Sequence, residues 1–198
     1  MISNRIDKLI QNLQQTRDEL ETELDRLLEE KRKQFHYRLR RGKVIFDREV
    51  RKLQHLQREN SFLYLARSRI GFVISSPVIY GMIVPLVFLD LTITLYQHIC
   101  FRIYDVPRVK RSDYVTIDRH NLPYLNAIQK LNCVYCGYGN GLIAYAREII
   151  ARTEQFWCPI KHARRTRGVH DREGKFFDYG DAERWKNELQ KIRCDWEN

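Results

Sequence analysis

The feature that most constrains the fold is a long apolar segment in the middle of the chain. No charged residue occurs from Ile70 to Leu89, and the apolar character continues to about residue 104. About twenty apolar residues in a helix are enough to cross the hydrocarbon core of a bilayer. Few core helices of water-soluble domains are this apolar on every side. The sequence therefore predicts a membrane-embedded helical segment over 70–104.

Two prolines, Pro77 and Pro85, interrupt this segment and leave two topologies open. A turn near Pro85 would give two arms of about fifteen residues, too short to cross, so the segment would enter the bilayer and return. Basic residues flank both ends about equally, which satisfies the positive-inside rule for such a wedge but gives a single span no orientation. The re-entrant wedge is therefore preferred, and the single span stays open.

Asp90 places a carboxylate inside this apolar segment. A charge in hydrocarbon costs at least about 2.5 kcal/mol, so the side chain is expected to pair or to face a cavity. The preferred interpretation is a capped helix break or an interhelix hydrogen bond. A proton or substrate contact is the functional alternative.

The N-terminal region, 1–69, contains no proline and a single glycine, Gly42. Its apolar residues recur at steps of four and three, which is the pattern of a heptad seam: Ile2, Ile6, Leu9, Leu13, Leu20, Leu24 and Leu27. The pattern predicts one long helix, with Gly42 as a possible hinge, that pairs with a second copy as a coiled-coil homo-oligomer. A helix that folds back onto the C-terminal region is the alternative.

The net charge of +10 indicates an acidic partner. Basic residues dominate 31–69, immediately before the apolar segment. Near a membrane surface each such charge attracts anionic headgroups by about 1 kcal/mol. Because no helix-turn-helix, zinc-finger or RNA-binding pattern is visible, anionic membrane lipid is preferred as the partner and no nucleic acid is expected.

Three of the five cysteines and one histidine cluster in the C-terminal region, 105–198. Cys133 and Cys136 form a Cys-x-x-Cys pair, and Gly137 follows where a tight knuckle needs a positive φ angle. Cys158 and His162 form a second pair, whose four-residue spacing puts both on one helical face.

Three thiolates and one imidazole make a closed tetrahedral set, for which zinc is the default ion and a structural role is preferred over a catalytic one. Cys100 and Cys194 lie far apart, so metal ligation in a reducing compartment is favoured over disulfides. The sequence thus predicts a metal site on the two pairs: Cys133, Cys136, Cys158 and His162. Reduced, packed thiols are the alternative.

Two resemblances accompany this cluster. The stretch "CVYCGY" resembles the first iron-binding knuckle of rubredoxins, which implies iron as the alternative to zinc, although "WCPIKH" is not the second knuckle that rubredoxins have. The wider pattern, "NCVYCGYGNGL" followed by "QFWCPIKHARR", is similar to a family of uncharacterised bacterial membrane proteins. That resemblance implies an inner-membrane location and assigns no catalytic residue.

Several local predictions complete the C-terminal region. Asn121 is expected to cap a helix beginning near 122, Glu148 to pair with Arg152, and Asp181 to cap the last helix. The stretch "DREGKFFDY" reads as a turn or short hairpin. Asp118 and His120 are an alternative acid–base pair. No phosphate loop, dinucleotide fingerprint, nucleophile elbow or zinc-protease motif is present.

These observations predict a mainly α protein of three parts: a coiled-coil helix over 1–69, a membrane segment over 70–104 and a small metal-stapled helical domain over 105–198. The function they favour is a non-enzymatic, membrane-attached scaffold on the cytoplasmic side of a bacterial inner membrane. A membrane enzyme acting on lipid headgroups and a rubredoxin-like redox protein are the alternatives.

Overall fold

The computed structural model describes residues 2–40, 43–164 and 166–196, which are mainly helical as predicted. The chain divides into two compact units. The first comprises 1–60 together with 121–126, and the second comprises 61–120 together with 127–198.

The first unit contains helix α1 (Ile2–Gln34), strands β1 (Tyr37–Arg40) and β2 (Lys43–Phe46), and helix α2 (Arg48–Leu56). The predicted single helix over 1–69 is therefore wrong. The chain leaves α1 through His36, whose φ angle of 53° lies in the left-handed region, and the two strands then pair antiparallel. The proposed hinge, Gly42, lies outside the described residues.

A period-two pattern explains why a hairpin replaces the helix. In β1, Tyr37 and Leu39 alternate with arginines, and β2 is rich in β-branched and aromatic residues. Both features favour a pleated strand over a helix. Tyr37 pairs with Phe46, with ring centroids 5.6 Å apart, and Leu39 pairs with Val44. Cross-strand pairs of this kind are the unit that stabilises a hairpin.

The leucines of the predicted heptad seam lie exposed along α1. Leu13, Leu20 and Leu24 keep 69%, 64% and 55% of their surface accessible. Such a stripe is what an unpaired coiled-coil helix presents; the coiled coil itself stays a prediction. The side chains of Ile2 and Ile6 lie outside the described part of the molecule.

The described residues of the second unit form five helices, with short 3₁₀ turns and a π-helical turn between them. The helices are α3 (Ser61–Arg67), α4 (Ile70–Gly81), α5 (Ile83–Tyr96), α6 (Ala127–Trp157) and α7 (Ala182–Cys194). A π-helical turn (Gln97–Phe101) extends α5, and a 3₁₀ turn (Asp171–Lys175) stands where a turn or hairpin was predicted. The last helix has the predicted cap, since Asp181 Oδ1 accepts the Arg184 N–H at 3.0 Å.

The apolar segment forms one helical run of 32 residues, from Ile70 to Phe101, and the mean hydropathy of its most apolar 18 residues is 2.2. Its length, about 48 Å, and its composition are sufficient to cross a membrane. The chain does not reverse at Pro85, because that proline lies in the first turn of α5, where a missing N–H costs little. Met82, between α4 and α5, has helical angles (φ −62°, ψ −11°). The re-entrant wedge preferred from the sequence is thus not the observed arrangement.

Helix α6 runs parallel to the α4–α5 run. Contacts pair Tyr80 with Tyr135, Asp90 with Tyr138 and Tyr96 with Thr153, so residue numbers rise together along both. Segment 102–120 therefore returns along the helices. The core of the unit lies where α5, this segment and α6 meet, and it includes Ile93, Phe101, Val106, Val109, Leu142, Tyr145 and Ile149.

Candidate functional site

The two predicted metal half-sites lie at opposite ends of one continuous helix. Cys133 and Cys136 are in the second and third turns of α6, and Cys158 directly follows its last residue. At 1.5 Å per residue, about 33 Å separate Cys136 from Cys158 along the axis. The two residues of each pair are close in sequence, but the structure does not bring the two pairs together.

The first pair also differs from the expected knuckle. Cys133 and Cys136 are helical, and so is Gly137, which does not adopt a positive φ angle. Within residues 2–40, 43–164 and 166–196, no three Cys, His, Asp or Glu side chains form a group that could hold a metal ion. The four-ligand zinc site therefore stays a prediction, and the continuous α6 keeps its two halves apart.

The thiol of Cys136 borders a groove between α4 and α6 instead. The groove has a volume of about 380 Å³. Its walls are mostly apolar, with a few hydroxyl and amide groups, and they include Phe72, Ser76, Ile79, Tyr80, Asn132 and Cys136.

His162, the predicted histidine ligand, lines a small polar cleft beside the second half of α6. Glu154 and His170 line the same cleft and are joined by a contact of 2.9 Å between Oε2 and Nε2. Arg147, also in this cleft, donates to the backbone carbonyls of Gly168 and Val169 and so fixes the loop that forms one wall. These contacts hold the loop against α6, so the charged residues of the cleft have a structural role.

Asp90 is paired, as its position in an apolar segment requires. Its carboxylate accepts two hydrogen bonds from Arg111, at 3.2 Å from Nε and 2.8 Å from Nη2. The hydroxyl of Tyr138 on α6 donates a third, at 3.0 Å. The predicted interhelix hydrogen bond is thus confirmed, and a bidentate arginine, the stronger form of such a pair, is added to it.

The contacts with Asp90 favour the protonated forms of Arg111 and Tyr138. The hydrogen bond to Asp90 raises the pKa of Arg111 above its usual range. Burial, with the hydrogen bond to the same carboxylate, raises the pKa of the Tyr138 hydroxyl. At neutral pH the guanidinium is therefore charged and the phenol is a donor, so both stabilise the carboxylate.

Two glycines allow the returning segment to cross α6 at close range. A Cβ atom at Gly141 would lie 2.7 Å from the Tyr114 carbonyl oxygen and 2.7 Å from Val115 Cα, and one at Gly137 would lie 3.1 Å from the Thr116 carbonyl oxygen. Gly137 was predicted to lie in a metal-binding knuckle, and its role in this close crossing was not predicted. The signal was the i, i+4 spacing of the two glycines, which puts them on one helical face.

The predicted ion pair between Glu148 and Arg152 is confirmed at 2.7 Å. A third member, Arg172, was not predicted. It is 5% exposed, lies 2.8 Å from the same Glu148 oxygen and donates to Gln155 at 3.1 Å. Gln155 in turn donates to the backbone of α7 at Ile192. The C-terminal residues are therefore attached to α6 through buried charged and amide groups.

No protein-family model, curated protein or solved structure matches this chain. The part of the chain that the structure describes is mainly helical, with one helical run apolar enough to cross a membrane, and an aspartate–arginine–tyrosine network joins that run to α6. Function must therefore be inferred from these residues themselves.

Proposed function

We propose that the protein is a non-enzymatic, membrane-attached scaffold. The observation that carries the proposal is the exposure of the apolar helical run Ile70–Phe101. No residue in its most hydrophobic stretch of 18 residues is buried within the chain. A bacterial inner membrane, with the soluble parts on its cytoplasmic side, is the proposed location.

The exposed residues of this run form a continuous surface. Eight large apolar side chains of the run each keep more than 60% of their area accessible: Ile70, Phe72, Ile74, Val78, Val84, Phe88, Leu91 and Leu95. Ile103, two residues beyond the run, keeps 72%. Soluble monomers rarely expose an apolar patch larger than a few hundred Å² without a binding role. Lipid hydrocarbon is the partner whose chemistry matches an apolar surface of this length.

Charge supports the same partner. Arg67 and Arg69 are exposed before the run, and Arg102 and Arg108 are exposed after it. Basic residues at the margin of an apolar surface favour anionic headgroups. The exposed leucines of α1 would supply self-association through a coiled coil, which makes the proposed scaffold a homo-oligomer.

Flotation with liposomes containing phosphatidylglycerol tests the attachment. We expect the wild-type chain to float and the double variant Phe88→Asp/Leu91→Asp to bind at least tenfold less, because each aspartate in hydrocarbon costs about 2.5 kcal/mol or more. Ile150→Asp is the matched control, since Ile150 is 56% exposed on α6 and should leave flotation unchanged. A wild-type chain that stays with the soluble fraction would remove the proposed function.

Zinc is proposed as the metal of the two Cys/His pairs, with iron as the alternative. While α6 is continuous one ion cannot reach both pairs, so a four-ligand site requires α6 to open between Cys136 and Cys158. The four-ligand site predicts about one zinc per chain by elemental analysis, lost in Cys158→Ser and retained in Cys194→Ser. It also predicts a gain of far-ultraviolet helical signal on chelation. Less than a tenth of an equivalent of zinc or iron contradicts it, and red, iron-loaded protein would select iron.

A further inference from the structure

We propose that the helical run Ile70–Phe101 does not cross the bilayer but lies along its surface, with its exposed apolar face in one leaflet. The proposal rests on the membrane attachment above and specifies its geometry. A helix that lies in the interface buries its lipid-facing side by about 5–10 Å.

The run has two different faces. Its exposed face carries Ile74, Phe88 and Leu95 at 71%, 69% and 61% accessibility. Its covered face carries a series at steps of three and four residues, the spacing of one side of a helix: Ser76, Tyr80, Ile83, Leu86, Asp90, Ile93, Gln97 and Phe101. The charged residue and the amide of the run therefore both point away from the apolar face.

The covered face packs against an irregular and highly charged segment. Gln97 exchanges hydrogen bonds with the backbone of Val109, at 3.0 and 3.4 Å. Asp90 binds Arg111, the next part of the same segment. Residues 104–118 contain no α-helix and no strand, and charged side chains are frequent in them: Asp105, Arg108, Lys110, Arg111, Asp113 and Asp118.

This segment decides between crossing and lying flat. Irregular backbone does not occur in contact with lipid in the hydrocarbon region, because its polar groups would lack partners. If α5 crossed the bilayer, the segment packed along it would be carried into the hydrocarbon with its charges. If the run lies flat, the same segment stays on the water side of the helix. The exposed apolar face then meets lipid over its whole length.

The length of the apolar face points the same way. From Ile70 to Ile103 it extends about 50 Å, whereas the hydrocarbon core is about 30 Å thick. Lying flat, the whole face is used, and the exposed arginines at both ends reach headgroups of one leaflet. A crossing helix would leave several turns of exposed isoleucine and leucine outside the membrane.

Nitroxide depth measurements separate the two geometries. Spin labels are placed one at a time at Ile74, Phe88 and Ile99 in liposome-bound protein, and their depth is measured by power saturation with oxygen and a water-soluble nickel chelate. The flat geometry predicts three depths equal within a few ångströms. A crossing helix spreads positions 74 to 99 over about 37 Å along the bilayer normal, more than the thickness of the hydrocarbon core, so at least one label would leave the hydrocarbon and be accessible to the nickel chelate. That result would overturn the proposal.

A second, independent test asks on which side of the membrane the residues before and after the run lie in the expressing bacterium. Leu63→Cys precedes the run and the native Cys194 follows it, and both positions are exposed. With an impermeant maleimide and peptide mapping, we expect both to be labelled in inverted vesicles and neither in spheroplasts. One site labelled in each preparation would show a crossing. Gln14→Cys, on the exposed surface of α1, replaces Leu63→Cys should that variant not fold.

The outcomes also distinguish this proposal from the proposed function. Protein that fails to float refutes membrane attachment itself. Protein that floats but gives a depth gradient keeps the attachment and refutes only the flat geometry. Labels at 74 and 88 that are shielded from oxygen and broadened by spin–spin coupling would show a second copy on the apolar face, which also refutes it.

Discussion

Replacing Gly141 with alanine is expected to destabilise the protein by about 2 kcal/mol. The new Cβ would lie 2.7 Å from two backbone atoms of the returning segment, Tyr114 O and Val115 Cα. Backbone cannot rotate away as a side-chain end can, so the segment or α6 must shift, and overpacking of this kind costs about 1–3 kcal/mol. In detergent, the midpoint of thermal unfolding should fall by roughly 4–8 °C.

Gly139→Ala is the matched control on the same helix. Its Cβ would meet only Leu86 Cδ1, at 3.5 Å, which is an ordinary contact. Alanine also favours a helix over glycine by up to about 1 kcal/mol. The control should therefore be neutral or stabilising. If both variants melted alike, the close crossing at Gly141 would be refuted.

Replacing Arg111 with alanine is expected to cost about 2 kcal/mol. The side chain of Asp90 is 16% exposed, and without Arg111 its carboxylate would keep only the Tyr138 hydroxyl at 3.0 Å and Thr94 at 3.4 Å. Removing one partner leaves a desolvated charge, which costs more than the pair itself contributes. Thermal unfolding in detergent measures the loss.

The reverse substitution separates charge from packing. Asp90→Asn should cost less than Arg111→Ala, because Arg111 is 44% exposed and its freed guanidinium can turn to water. The double variant Asp90→Asn/Arg111→Ala should recover most of the stability lost in Arg111→Ala. If the double variant were no more stable than Arg111→Ala, the isolated carboxylate would not be the cause of the loss.

Some local patterns were read correctly from the sequence, but the predicted Asn121 cap was wrong, because Asn121 ends a 3₁₀ turn and the next helix begins at Ala127. The Asp181 cap and the Glu148–Arg152 pair depend on residues three and four apart, and both are present. The hairpin was missed because the helix predicted from the heptad pattern of residues 2–27 was extended across residues 37–46. Over that stretch a period of two competes with a period of three and a half.

The predicted metal site shows that a local sequence pattern alone does not determine the backbone conformation of the cysteines. Cys-x-x-Cys is compatible with a knuckle or with a helix, and the choice depends on what packs against it. Here Gly137 and Gly141 face the returning segment, and that contact is possible only if both are helical and on one face. The residues around the thiols therefore serve helix packing. A four-ligand site would have to interrupt that packing.

The sequence by itself determined that this chain is mainly helical, that it carries one apolar run long enough for a membrane, and that a carboxylate within that run must be paired. These conclusions follow from composition and from the cost of an isolated charge in an apolar setting. Only the tertiary structure decided that Arg111 and Tyr138 are the partners, that the run does not turn back at Pro85 and that a charged segment covers one of its faces. Contacts between residues 21 to 48 positions apart depend on how helices and the returning segment pack together, and no local period encodes that.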